Sequence, residues 1–176
     1  MAHSITGSLD LSPVRCLIVD DNANMRKITA TVLYALGIKD VREATGGEEA
    51  FAELKNFQAD VVIVDWVMAP EDGIALTLRI RSRMDSPNPY LPIIMLTGHT
   101  EKERIEQARD AGVTEFLSKP VSVKGMVQRI LNIIEKPRQF VAVRDYFGPD
   151  RRRHIDPMYT GPERRSMAEA TVDSDA

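Results

Sequence analysis

The chain has 176 residues, a formal net charge of -3, 43% hydrophobic and 28% charged residues. That suits one domain of about 100–150 residues with an appendage, and the charge leaves no overall footprint for nucleic acid. A single cysteine excludes an intrachain disulfide, and no apolar stretch approaches the roughly 18 residues of a membrane span. The N-terminus lacks a basic segment followed by an apolar one, so a cytoplasmic protein is expected.

Residues 1–13 are small and polar and read as a flexible leader. Arg15–Val19 predicts a first strand ending at Asp20-Asp21, with Cys16 as a small core residue. A helix follows, with Met25, Ile28, Val32 and Ala35/Leu36 on one stripe, and Gly37 stops it. Ile38–Glu43 reads as a short strand. Thr45-Gly46-Gly47-Glu48 has capping-box spacing and opens a helix carrying Phe51 and Leu54. Ala59–Val64 is an unbroken apolar, mostly β-branched run that ends at Asp65, the pattern of a strand buried on both faces.

After Gly73 a helix is expected to about Met84, with Ile74 and Leu78 facing inward, and Asp85-Ser86-Pro87-Asn88-Pro89 breaks it. Pro92–Leu96 reads as a fourth strand ending at Thr97-Gly98. Thr100-x-x-Glu103 is a second capping box, whose helix puts Ile105 and Ala108 inward and ends at Gly112. Val113–Leu117 reads as a fifth strand ending at Ser118-Lys119-Pro120. Ser122 can cap a last helix to about Glu135. Five strands alternating with five helices imply an α/β fold, a doubly wound five-stranded parallel sheet.

All strand C-termini of such a sheet share one edge, where ligands bind. Here that edge gathers Asp20, Asp21, Asp65, Thr97 and Lys119. Three crowded carboxylates repel unless a counter-charge intervenes. Mg²⁺ takes oxygen ligands and leaves room for phosphate oxygens. A carboxylate flanked by Mg²⁺ and a lysine can attack phosphorus, since both cations neutralise the phosphoryl oxygens. The chemistry is phosphoryl transfer onto a carboxylate, giving an aspartyl phosphate. Each residue also has a plainer reading. Asp20-Asp21 could cap the first helix, Thr97 could simply end a strand, and Lys119-Pro120 could be a surface loop.

Val19-Asp20-Asp21, Asp65 followed by Met68 and Asp72-Gly73, Thr97-Gly98 and Lys119-Pro120 occur in order and at matching spacing. In these motifs, over about residues 14–136, the chain resembles the CheY-like receiver domains of two-component response regulators, of stand-alone single-domain type. The resemblance implies a flavodoxin/CheY-like fold. It implies that Asp65 accepts phosphate from a histidine kinase or phosphotransferase. Asp20, Asp21, Asp65 and the Val67 carbonyl would hold Mg²⁺, and Thr97 and Lys119 would contact the phosphoryl group. Phe116 stands where the family has an aromatic switch that moves with the threonine. The family usually has Pro directly after the Met; here Ala69 intervenes and Pro70 comes one position late, with the loop to Gly73 unchanged in length. Val67 and His99 stand where the family tunes access of water, and an apolar Val67 implies slow self-dephosphorylation. Trp66 is expected on the pocket rim.

From Pro137 the pattern breaks. Phe140-Val141-Ala142-Val143 could be an extended segment lying against the domain. Tyr146-Phe147-Gly148-Pro149-Asp150-Arg151-Arg152 recurs as Tyr159-Thr160-Gly161-Pro162-Glu163-Arg164-Arg165. Gly-Pro argues for irregular structure, and the arginine pairs present planar donors. The chain thus divides into leader 1–13, receiver 14–136 and a largely irregular or disordered extension 137–176, with Arg151, Arg152, Arg164 and Arg165 as candidate partner-binding residues. Between residues 144 and 165 six arginines face four acids, which gives little support for nucleic acid. The last helix is apolar on more than one side, which suits either a cover from the extension or a docking face. The expected function is a regulator signalling by protein contact, catalysing only its own phosphorylation and dephosphorylation and able to dimerise through the fourth helix, fifth strand and fifth helix. The alternative is a phosphorelay intermediate or phosphate sink. A phosphatase would need an acid where Val67 stands, and a transcription factor would need a DNA-binding module.

Overall fold

The computed structural model describes residues 10–98, 102–151 and 170–172. The order is β1(Arg15–Val19), α1(Ala23–Ala35), β2(Asp40–Ala44), α2(Gly47–Asn56), β3(Val61–Asp65), α3(Gly73–Arg81), β4(Ile93–Thr97), α4(Lys102–Ala111), β5(Glu115–Ser118) and α5(Val123–Glu135). The first five strands form one parallel sheet in the order β2-β1-β3-β4-β5. Side chains alternate across it. Leu17, Val19, Val62, Val64, Ile93 and Met95 pack under α2, α3 and α4, while Cys16, Ile18, Ile63, Ile94 and Leu96 pack under α1 and α5. This is the expected α/β, doubly wound, flavodoxin/CheY-like fold.

Helix faces depart from the expected stripes. In α1 the buried residues are Thr29, Ala30, Val32 and Leu33, while Ile28 is 47% exposed, so the buried face is turned by about one residue. In α3 Leu76, Thr77, Ile80 and Arg81 are buried beside Ile74, and Leu78 points outward. Thr77 tolerates burial because its hydroxyl donates to Gly73 O at 2.7 Å. The helix stops at Arg81, and Ser82 turns the chain out with its hydroxyl on Asp85. The α2 capping box does not form. Gly46 is the N-cap, and Thr45 instead donates its amide and hydroxyl to Glu49, one residue beyond Glu48, at 2.7 and 2.6 Å. Ser122 caps α5 as expected. Thr100 lies outside the described residues. Within the leader, Leu11 is buried in the α1/α5 core.

The extension departs most. Phe140–Val143 (β6) and Tyr146–Pro149 (β7) form an antiparallel ribbon, joined on the far side of β6 by Ala170–Val172 (β8). Gly148-Pro149 thus sits inside a strand rather than preventing one. Pro149 is tolerated because β7 is an edge strand. The ribbon lies at the N-terminal edge of β4 and β5, opposite the strand ends that carry the acidic residues. There Tyr90, Phe140 and Phe147 pack edge to face or tilted, 5.2–5.6 Å between centroids. Arg81 spans the same edge, donating to Gly112 O, Pro89 O and Leu91 O at 2.7–3.0 Å with its guanidinium over Phe140. Burial pulls this guanidinium down to about 9. On α5, Val123 and Ile134 stay 44% exposed, so the described part of the extension does not cover these two residues.

Candidate functional site

The register dictates the site. Val19 pairs with Val64, so Asp20 follows beside Asp65 at the common edge. Asp65 pairs with Leu96 and Thr97 with Ser118, so Thr97 and Lys119 arrive at the same edge from the other side. The Lys119 amide donates to Thr97 O at 2.9 Å and ties the last two loops together.

The structure brings together every expected acidic residue. One oxygen each from Asp20, Asp21 and Asp65 lies within 4.8 Å of the other two. Asp20 is fully buried. Its Oδ1 accepts from the Asn22 amide at 2.8 Å, and its Oδ2 has no hydrogen-bond partner. Burial holds its carboxyl above the usual range. The Asn22 amide opposes this, neighbouring Asp65 raises it further, Lys119 lowers it and Asp21 raises it. Asp21 is exposed and accepts from the Ala69 amide at 3.2 Å. The Lys119 ammonium sits 2.6 Å from Asp65 Oδ1.

Capping does not explain the acidic pair. Asn22 does that work, accepting from the Asn24 and Met25 amides at 3.0 and 3.2 Å. Asp72 likewise caps α3 through the Ala75 amide at 2.8 Å. Glycine is required at 73, because a Cβ there would press on Asp65 O and come within 3.2 Å of Trp66 Cα. The Gly73 amide donates to Trp66 O at 2.9 Å and closes the loop despite the late Pro70.

Other expectations fare unevenly. Thr97 is 5% exposed at the end of β4. Val67, whose carbonyl is an expected ligand, carries its side chain out to solvent, 64% exposed. Trp66 is core rather than rim, only 7% exposed. Phe116 is half-buried against the α2–α4 core. Arg151 is engaged within the chain, 3.2 Å from Asp110 and stacked on Tyr146 at 4.0 Å. His99, Arg152, Arg164 and Arg165 lie outside the described residues. Two arginines escaped sequence reasoning. Arg26 donates to Asp20 O at 2.8 Å and to Glu43 at 3.1 Å. Arg129 Nε donates to Phe116 O at 2.6 Å. Arg26 had a signal, its place one turn into the helix that follows the acidic pair; Arg129 had none.

The donor set fits a hard divalent cation. It consists of carboxylate oxygens, and a fully buried one lacks any other partner. The model for the response regulator receiver domain matches residues 16–131. The chain belongs to that family. Relatives include chemotaxis protein CheY-3 of Vibrio cholerae, 34% identical, with 70% of this chain and 93% of that protein covered. Another is chemotaxis protein CheY1 of Helicobacter pylori, 36% identical, with 66% and 94% covered. Among solved structures, V. cholerae chemotaxis protein CheY4 aligns with a TM-score of 0.63 at 28% identity, covering 68% of this chain and 98% of that one. A putative response regulator of Chloroflexus aurantiacus aligns at 0.62 and 29%, covering 70% and 99%. The receiver thus accounts for the five-stranded body and leaves β6–β8 outside the matched residues. No helix among the described residues is long and apolar enough to cross a membrane.

Proposed function

We propose that this receiver takes a phosphoryl group onto Asp65 from a histidine kinase or a histidine phosphotransferase and acts as a single-domain response regulator through protein contact. One observation carries the reading. Asp65 meets the Lys119 ammonium at 2.6 Å inside a cluster of three carboxylates, one of whose buried oxygens has no partner.

Asp20, Asp21, Asp65 and the Val67 carbonyl would hold Mg²⁺, which neutralises phosphoryl oxygens when bound. The chain's own residues account for the rest. A carboxylate oxygen of Asp65 attacks phosphorus in line, a P–O bond forms, and the P–N bond to the donor imidazole breaks with its electron pair returning to nitrogen. Lys119 holds the carboxylate before transfer and follows the negative charge onto the phosphoryl group afterwards. Thr97, at the end of β4, donates its hydroxyl to a phosphoryl oxygen. Its movement, together with Phe116, shifts the balance between two states of the α4–β5–α5 face.

Intact mass after incubation with a small acyl- or amido-phosphate donor tests this, with and without Mg²⁺. The expected result is a Mg²⁺-dependent phosphoryl adduct in wild type and none in Asp65→Asn. Wild type without an adduct would overturn the proposal.

A further inference from the structure

The C-terminal extension touches the receiver at a buried carboxylate outside the acidic site. Glu115 opens β5 and is 6% exposed. Two guanidinium groups flank it: Arg129 of α5, Nε 3.8 Å from Oε2, and Arg138 of the extension, Nη2 3.7 Å from Oε1. Both distances exceed hydrogen-bond reach, and Oε2 has no hydrogen-bond partner. Arg129 spends its short bond elsewhere, on the backbone carbonyl of Phe116, the next residue along β5, at 2.6 Å. Arg138 is held from the other side by Asp150 O at 3.4 Å, so its place depends on the docked ribbon.

We propose that the extension sets the position of the Phe116 switch, because Arg138 shares Glu115 with Arg129 and so leaves Arg129 on the Phe116 carbonyl. The inference rests on the reading of Thr97 and Phe116 as the moving pair. With both cations present, the buried carboxylate is compensated and Arg129 can bond a neutral carbonyl. Without Arg138, Glu115 would face a single cation among the described residues. A buried charge short of compensation is costly, so Arg129 is drawn from the carbonyl to the carboxylate. Phe116 then loses the bond that pins its strand in the position seen here. Losing a hydrogen bond from a charged donor shifts such a balance on the order of tenfold. Tail docking and phosphorylation are therefore coupled through three side chains, Arg138, Glu115 and Arg129.

The test uses the full chain. In wild type the Arg129 Nε–H is expected as a protected, separately resolved NMR resonance. It moves in Arg138→Ala and stays in place in Arg138→Lys, which keeps a cation beside Glu115. Phosphorylation by a small phosphate donor, followed by intact mass, is expected several-fold faster in Arg138→Ala than in Arg138→Lys or wild type. In a Glu115→Gln background, changing Arg138 to Ala makes no further difference, since Arg129 has nothing to leave for. A purely structural role for Arg138 predicts a lowered melting temperature with the resonance and the rate unchanged, and that outcome overturns the inference. A resonance that moves without a change in rate overturns the link to the switch. Wild type that takes no phosphoryl group would instead refute the acceptor role of Asp65, while the resonance decides the Arg138–Arg129 coupling on its own.

Discussion

Asp20 and Asp21 are neighbours in sequence with opposite surroundings: one carboxylate is fully buried and the other exposed. The end of β1 at Val19 accounts for this. Asp20 continues the buried strand, and Asp21 has already turned out toward the loop after β3. That both face Asp65 was legible because two neighbouring strand ends, those of β1 and β3, deliver three acids at the same edge. That Asp20 Oδ2 lacks a partner was not legible, since it depends on where Asn22, Lys119 and Ala69 come to rest. The same strand carries a residue with a pH consequence. Cys16 is fully buried, and burial pushes its thiol up to about 12 from an ordinary 9.0. Between those values the unfolded chain releases a proton that the folded chain keeps, so ionisation favours unfolding and stability falls as pH rises through 9. The contribution is fully present below that pH. Urea denaturation of wild type and Cys16→Ala at pH 8 and pH 10 should show the stability gap between them narrowing by about 1.4 kcal/mol at the higher pH. Lysines and tyrosines titrate alike in both proteins and cancel. A constant gap would mean that the thiol is no harder to ionise in the folded chain.

Elements were legible where chemistry and period agreed and obscure where two patterns competed. The strands β1, β3 and β4 read correctly to within two residues because short unbroken apolar runs bounded by polar or turn residues have few alternative uses. In α3, Ile74 and Leu78 make one plausible stripe and Leu76 and Ile80 another. The structure buries the second together with Ile74 and turns Leu78 out, because Thr77 closes its hydroxyl on Gly73 O and Arg81 closes its guanidinium on loop carbonyls, so polar side chains join the inner face. Neither bond is visible in a hydrophobic pattern. The start of α2 shows the same competition at the scale of one turn. Thr45-x-x-Glu48 has the spacing of a capping box, yet Glu48 leans out, 92% exposed, toward Arg79 at 3.0 Å. Glu49 takes both Thr45 donors, and these bonds hold its carboxyl below the usual range. Glu49→Ala should therefore cost about 1 kcal/mol in chemical denaturation. Glu48→Ala should cost under about 0.5 kcal/mol, as for an exposed ion pair. The reverse order would show that the box forms in solution after all.

At the scale of the whole molecule, the extension was the least legible part. The repeated Tyr-x-Gly-Pro-acid-Arg-Arg motif reads as a ligand for some partner, but its first copy is used at home. Tyr146 donates its hydroxyl to Pro149 O at 2.7 Å, and its ring leaves room at position 148 only for glycine. Arg151 lies over that ring and reaches Asp110. The partners of these residues, Tyr90, Asp110 and Gly112, stand some dozens of positions earlier, where no spacing rule connects them. The variable position of the motif holds Phe147 in this copy, and that ring completes the cluster with Tyr90 and Phe140. If this cluster is part of the receiver's own cooperative unit, cutting it must be felt by the whole fold. Phe140 is 7% exposed, and Phe140→Ala should cost about 3 kcal/mol. Denaturant unfolding followed by Trp66 fluorescence and by far-UV circular dichroism should then shift as one transition, with both probes coincident. Trp66 sits near the opposite edge of the sheet from Phe140, so a coincident shift requires the ribbon and the acidic edge to unfold together. Ribbon loss ahead of an unshifted Trp66 transition would instead make the extension a separate unit resting on an independent receiver. The Arg138–Glu115 contact could then be undone without unfolding the acceptor site.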